Sequence, residues 1–598
     1  MVKKILWLLL SCLMAVSLVL VACGPATVEE EEEEEEEEIV IGEEEEEEEE
    51  IVQEGFLPPE EPKFGGIITT ATSREPSGFD PAVVMSILTN AIYFTHDHLI
   101  KGDWAKGPAG TGETDWLGYL NCNYDYMGGS LADSWEMPDG ETIIFHLHKG
   151  AHFWPKPPAN GREVTAEDVV FSINREWSST TSFAAVSWGL ESAPTSVKAL
   201  DKYTVELKVN PAIQGLHLIS TGGLCYISPP EVIEQYGDFQ DWRVMVGSGP
   251  WMLTDYVRGS GLTFEKHPDY GFVDPNHPEN QIPYADGFKR LIIPDSSTRL
   301  AALRTGRVDY LQSLSWDDYG LLKEQHPELL SKTKYGEAYF LVARVDKPEL
   351  PFDDLRVRQA MNLAINQQEI LDDYYEGQGE MLSWPWYSWK EHDRVYIPLE
   401  ELPETVQELF EYHPDKAKQL LAEAGYPGGF KTSIICNTTQ VDLLSIVREY
   451  LLAVGIDMEI QVLELGVHSS ILRGRKHEEM ITGGGKMHFI AWMMHEIRKE
   501  SFDNCAYYEN PRTRAAFDEV QLYVMKDTNK TWEILKEVTP FMLEECVMGG
   551  YLPVPYVYHV WWPWLQNFFG ATGMGYWEPE TNLRYAWMDE EMKRAMGY

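Results

Sequence analysis

A chain of 598 residues and 68.4 kDa is several times too long for one small domain. Its 44% hydrophobic and 12% aromatic content, with 20 Trp and 30 Tyr, supplies large cores and excludes wholesale disorder. Acidic residues number 97 against 48 basic ones, and the net charge of −49 repels a phosphate backbone, which excludes nucleic acid as a partner. Residues 1–62 hold 21 Glu and two Lys, so −19 of this charge is local and −30 belongs to the remainder.

The chain opens with Lys3 and Lys4, an apolar run over 5–21 and small residues at Ala22 and Gly24 around Cys23, the layout of a secretory signal over residues 1–22. Leu20-Val21-Ala22-Cys23 resembles a bacterial lipobox, which implies acylation of Cys23 and a lipid anchor on the outer side of the cell membrane. An uncleaved span is the competing reading, because the 17 residues from 5 to 21 reach the lower limit for crossing a bilayer. Five further cysteines follow the anchor, at 122, 225, 436, 505 and 546. Their spacing contains no C-x-x-C, so zinc and thioredoxin-type chemistry lose their usual signal.

Residues 23–63 read as a lipidated Cys followed by an acidic, disordered tether, with two Glu runs interrupted by Ile39-Val40-Ile41-Gly42 and Ile51-Val52. Fully extended, about 40 residues reach on the order of 130 Å, against about 35 Å for a neutral coil. Self-repulsion drives the tether toward the longer value.

From Phe64 the texture becomes α/β, with strand patterns at 67–71, 141–148, 204–209 and 288–293 and helix patterns starting at Thr165 and Asp415. Thr165 fits an N-cap with Asp168 three residues on, and Gly425 fits a helix stop. Catalytic patterns fail in detail. Thr482-Gly483-Gly484-Gly485-Lys486-Met487 lacks the first Gly and the final hydroxyl of a phosphate loop, and His495-Glu496 lacks the second His of a zinc-protease helix because Lys499 stands there. His146, His148 and His152 alternate as one strand face would, a weak metal signal outweighed by the solvent-face reading. The expectation is a non-enzyme with no cofactor and no metal.

Several segments together resemble the extracellular solute-binding proteins of family 5, which serve ABC importers. They are Gly65-Gly66-Ile67-Ile68, Leu131-Ala132-Asp133-Ser134-Trp135, His148-Lys149-Gly150-Ala151-His152-Phe153 and Thr165-Ala166-Glu167-Asp168-Val169-Val170. Gly247-Ser248-Gly249-Pro250-Trp251, Leu303-Arg304-Thr305-Gly306-Arg307-Val308-Asp309, Phe352-Asp353-Asp354-Leu355-Arg356-Val357-Arg358-Gln359-Ala360 and Pro414-Asp415-Lys416-Ala417 continue the series in the family's order. The resemblance implies a two-lobed, periplasmic-binding-protein-like α/β fold with an extra subdomain in the first lobe. By that analogy the first lobe covers 64–290, with the subdomain at about 85–200, and returns at 553–598; the second lobe covers 291–552. It also implies a monomer that encloses a peptide-like or other small solute and hands it to the transmembrane subunits of an ABC permease.

Aromatic side chains suit such a site because they bring large contact area at small entropic loss. Trp384, Trp386, Tyr387 and Trp389 crowd one irregular stretch, and the resemblance places that stretch at the cleft, opposite Tyr93. Packing within the lobe is the competing reading for them, and it is preferred for Trp561-Trp562-Pro563-Trp564. Where peptide-binding members carry an acid for the ligand's ammonium, this chain has Trp492-Met493-Met494-His495-Glu496. Trp492 and His495 are therefore expected on the far wall, with Glu496 as the substitute acid, and a sugar, an opine-like molecule or a metal chelate stays open beside a peptide. A secreted hydrolase using Asp353 and Asp354 and a structural surface protein are the rival classes; N-capping and ion pairing with Arg356 and Arg358 explain the two acids better.

The lipobox reading predicts that Cys23→Ser abolishes detergent-phase partitioning and removes acyl mass from the protein. Equal partitioning of wild type and variant, with no lipid mass on either, would refute it.

Overall fold

The computed structural model describes residues 61–83, 86–87, 92–117, 124–484, 497–499, 501, 503–574 and 580–598. The signal, Cys23 and the acidic tether up to residue 60 lie outside the described residues, as do Cys122, Trp492, His495 and Glu496.

A large mixed sheet organises the first lobe. Its strands run in the order Leu330–Tyr335, Val554–Trp561, Tyr310–Ser315, Ile67–Thr72, Gly287–Ile292, Gly261–Lys266 and Trp251–Val257, and Gly379–Glu380 adds a short pairing onto Val554–Trp561. Ile67–Thr72 runs parallel to Gly287–Ile292 in unbroken register from Ile67↔Gly287 to Thr72↔Ile292. Val554–Trp561 lies antiparallel between Tyr310–Ser315 and Leu330–Tyr335. Tyr310–Ser315, Leu330–Tyr335 and the short Gly379–Glu380 come from 291–552, the span that the sequence reading gives to the second lobe. Cross-strand hydrogen bonding, not the break at Pro294-Asp295, decides which sheet a segment joins.

A four-stranded antiparallel sheet, Ala132–Glu136, Thr142–Leu147, Thr204–Lys208 and Ser196–Asp201 in spatial order, forms a separate layer within the first lobe's span. The helix Ala166–Ser178 starts with the capping box foreseen at Thr165 and Asp168: the Thr165 backbone N–H and hydroxyl donate to Asp168 Oδ2 at 2.8 and 3.0 Å. Asp168 is buried, and Arg162 holds it through paired bonds of 2.9 and 2.6 Å while also reaching Glu231. A charge-assisted fork of this kind is what makes a buried carboxylate tolerable. On the four-stranded sheet and just past it, His146 pairs with Glu136 and His148 with Asp133, both at 2.7 Å, and His152 meets the Gly150 carbonyl. The described residues contain no cluster able to hold a metal ion.

The second sheet has the order Tyr339–Ala343, Met480–Gly484, Phe430–Asn437 and Ile456–Leu463, with the last three strands mutually parallel. The helices Leu355–Ala364, Pro414–Glu423 and Thr528–Glu544 belong to the same part of the chain. Asp354 caps the first of them, accepting the Arg356 N–H at 2.9 Å and pairing with the Arg356 guanidinium at 2.6 Å, the structural role expected for it. Cys225, Cys436 and Cys546 are buried free thiols, and the buried Cys505 donates its Sγ–H to the Leu472 carbonyl at 3.4 Å. No described helix is long and apolar enough to cross a membrane.

Two of the chain's passages between the sheets, at 336–338 and 551–553, lie side by side. The Gly336 N–H donates to the Pro555 carbonyl at 2.7 Å, and a Cβ at Gly336 would stand 2.8 Å from that oxygen. A side chain there must push the two segments apart. Gly336→Val is expected to cost about 2 kcal/mol, the usual scale of overpacking a close contact, seen as a lower midpoint in urea denaturation.

Candidate functional site

The two adjacent passages form the floor of the junction between the sheets, and aromatic rings collect beside them. Tyr335, the last residue of its strand, faces Tyr556 in the antiparallel register. Its ring stacks on Tyr387 with centroids 4.5 Å apart and planes within 7°, and sits 5.5 Å from Trp389. Tyr387 and Trp389 are themselves 5.0 Å apart. Offset and tilted stacking at these distances is favourable beyond simple area burial.

One carboxylate gathers the polar ends of this cluster. Glu380 accepts the Tyr556 hydroxyl at 2.9 Å and the Ser388 hydroxyl at 3.0 Å, and it also accepts the Tyr335 hydroxyl. Burial, then the bond to Glu380, pushes the Tyr335 hydroxyl well above the ordinary phenol range, and burial beside Glu380 does the same for Tyr556. Both phenols stay protonated donors. Gln378 accepts the Tyr558 hydroxyl at 2.5 Å, and Tyr558 stacks on Tyr319 at 3.9 Å, so the aromatic row continues along the strand. Ser388 is exposed and Glu380 half-buried, which leaves the polar side of the row open to solvent.

The four aromatic residues singled out in the sequence divide between two environments. Tyr387 and Trp389 join the row at the junction. Trp384 and Trp386 turn into the second lobe's interior: Trp384 stacks at 6.1 Å on Tyr551, and Trp386 Nε1 donates to Thr539 Oγ1 at 3.1 Å on the helix Thr528–Glu544. Trp386 also meets Trp532 edge-on at 5.6 Å and His392 at 5.4 Å. Full burial lowers the His392 pKa to about 4, so the imidazole is neutral and behaves as another packing ring. Tyr93 is buried in the first lobe with its ring 6.0 Å from that of Tyr226. Trp562 and Trp564 stack at 4.5 Å and bond to the Leu303 carbonyl and to Asp309, the packing role expected for them.

Sequence reading missed Tyr335, Tyr556 and Glu380. Their only sequence signal is a tyrosine or an acid at the end of a strand; what joins them is the cross-strand register of segments far apart in the chain.

The family description "Bacterial extracellular solute-binding proteins, family 5 Middle" matches residues 127–494. Heme-binding protein A of Haemophilus influenzae is 27% identical over 391 residues, which cover 60% of this chain and 62% of that protein. Di/tripeptide-binding protein 1 of Pseudomonas aeruginosa is 26% identical over 381 residues, covering 59% and 66%. The matches thus span under two thirds of the length of these curated relatives. Among solved structures, the periplasmic binding protein DppA of Helicobacter pylori in complex with the peptide STSA superposes with a TM-score of 0.69 at 22% identity, over 88% of this chain and 99% of that one. AgaA of A. tumefaciens R10 in complex with agropinic acid gives 0.68 at 19% identity, over 88% and 99%. The fold is that of the two-lobed periplasmic binding proteins. With a match that runs through both sheets and more than half of its length, the chain belongs to the bacterial extracellular solute-binding proteins of family 5.

Proposed function

We propose that this protein is the solute-binding component of an ABC importer, held outside the cell membrane by lipid on Cys23, and that it encloses a peptide or similarly sized solute between its lobes for delivery to the permease. The observation that carries the reading is the aromatic and carboxylate row of Tyr335, Tyr387, Trp389, Tyr556 and Glu380 at the double passage between the sheets, in a chain of this family. Binding-protein names among the relatives support a carrier and not an enzyme. The row offers flat apolar faces with a hydrogen-bonding edge, which suits a ligand carrying both apolar and polar groups. Trp492, His495 and Glu496 are proposed for the opposite wall, with Glu496 as partner for a ligand ammonium. An ammonium enclosed without such a partner would pay its full desolvation cost.

Native mass spectrometry of protein purified from its own host tests this reading, with a retained small molecule expected. With that solute in hand, Trp389→Ala is expected to weaken binding about thirtyfold, the scale of losing a buried aromatic anchor worth about 2 kcal/mol. Undiminished affinity would remove Trp389 from the site.

The division of the tryptophans gives a second expectation. Trp386→Ala leaves a hole beside Thr528–Glu544 and strips Thr539 of its partner, so unfolding stability should fall by about 3–5 kcal/mol without solute present. Stability within 1 kcal/mol of wild type, combined with lost affinity, would instead place the Trp386 ring in the cleft.

A further inference from the structure

A second set of contacts joins the lobes just beyond the aromatic row, where His392 lies 5.5 Å from the Trp389 ring. The loop between Ile100–Gly102 and Met127–Gly129 is anchored on the first lobe: Trp104 stacks on Tyr585 at 5.1 Å and within 5° of parallel, the Trp116 carbonyl accepts the Thr572 N–H at 2.8 Å, and Asp115 pairs with Lys332 of the large sheet at 3.3 Å. The turn at 390–394 is anchored on the second lobe. His392 packs on Trp386 and, at 6.3 Å, on Trp532, and Arg394 reaches Asn529 at 3.1 Å on the helix Thr528–Glu544.

Glu391 projects from this turn into the first-lobe loop. Its Oε1 accepts the Thr114 hydroxyl at 2.6 Å and the Asp115 N–H at 3.0 Å. The Thr114 hydroxyl in turn accepts the Trp116 N–H at 3.1 Å, which fixes the direction in which it donates. Thr114 is fully buried and Glu391 only 5% exposed. Lys390 Nζ donates to the Gly112 carbonyl, and Arg394 approaches Asp125 at 3.4 Å, so three successive polar contacts tie one loop to one turn.

We infer that Glu391 is a closure latch, a carboxylate of the second lobe that locks onto Thr114 and Asp115 of the first lobe when the two come together. Charge-assisted hydrogen bonds inside a dry contact are strong, yet the loss on opening is partly offset because the freed carboxylate regains water. Those opposing terms make the contact reversible, which a latch requires and an apolar seam of the same size would not provide. The latch depends on the two-lobed fold alone, not on the identity of any solute, and it acts before solute arrives.

Hydrogen exchange on the full chain in detergent micelles without added solute, paired with ion-mobility native mass spectrometry, tests it. Glu391→Ala is expected to speed exchange in 112–117 by at least tenfold and to add an expanded conformer, while amides of Thr142–Leu147 and Phe430–Asn437 keep wild-type rates. Thr114→Val, which removes one donor to Glu391 together with the acceptor of the Trp116 N–H and leaves the turn at 390–394 intact, is expected to speed the same segment about threefold. Unchanged exchange at 112–117 in both variants, or no expanded conformer in either, overturns the latch. Should Glu391→Ala speed exchange throughout both sheets, general destabilisation is indicated, and Thr114→Val then decides: acceleration confined to 112–117 supports the latch and its absence overturns it.

Discussion

The antiparallel pairing of Leu330–Tyr335 with Val554–Trp561 is the constraint on which the rest of the molecule depends. It returns the end of the chain to the sheet that the beginning of the chain helped to build, and it sets the two interlobe passages side by side. Closing so long a loop costs chain entropy that grows only slowly with loop length, whereas six register pairs and the rings they carry are won at once. Tyr335 and Tyr556 face each other because of this register, and Glu380 reaches both because Gly379–Glu380 pairs with the same returning strand. A one-residue slip would turn every one of these side chains to the opposite face.

Buried charge secures the return. Asp309 is fully buried and accepts the Thr69 N–H at 2.7 Å, the Trp564 indole N–H at 2.8 Å and the Lys593 ammonium at 2.9 Å, so one carboxylate joins the first strand, a middle strand and the C-terminal segment. Burial raises its pKa, and Lys593 opposes that shift. Arg584 binds Asp97 at 3.0 Å and the Tyr270 hydroxyl at 2.7 Å, and Arg290 meets Glu580, again linking the last residues to earlier parts of the first lobe. Such pairs are costly to break from one side, since the remaining charge stays buried without its counterion. They give the discontinuous lobe a specific closure that apolar packing alone would leave less defined.

Glu391 uses the same chemistry in a place where separation brings water back. Asp309 and Arg584 lie among elements of one lobe, but Glu391 bridges two, so rehydration is available to it and not to them. An identical functional group is thereby a permanent tie in one setting and a reversible contact in another, and the difference lies in which surfaces can part. The acidic character of the folded body, −30 beyond residue 62, fits a protein whose lobes meet through a few selected ion and hydrogen-bond contacts while the remaining surface stays hydrated.

Local chemistry made much of the fold legible. Ile67–Thr72, Thr142–Leu147, Thr204–Lys208 and Gly287–Ile292 follow their sequence patterns to within a residue or two, and the capping box at Thr165 and the stop at Gly425 appear where turn and cap chemistry put them. These signals reside in neighbours a few residues apart, so the sequence by itself determined them, along with the order of motifs that marks the family. Which sheet Tyr310–Ser315 and Leu330–Tyr335 would join, and which of Trp384, Trp386, Tyr387 and Trp389 would turn inward, had no local signal. An indole is equally suited to a core and to a cleft; both Trp386 and Trp389 meet His392, and it is Thr539 and Trp532 beside Trp386 but Tyr387 and Tyr335 beside Trp389 that distinguish the two. Tertiary structure alone decided those positions, because burial and strand register are set by residues distant in the chain.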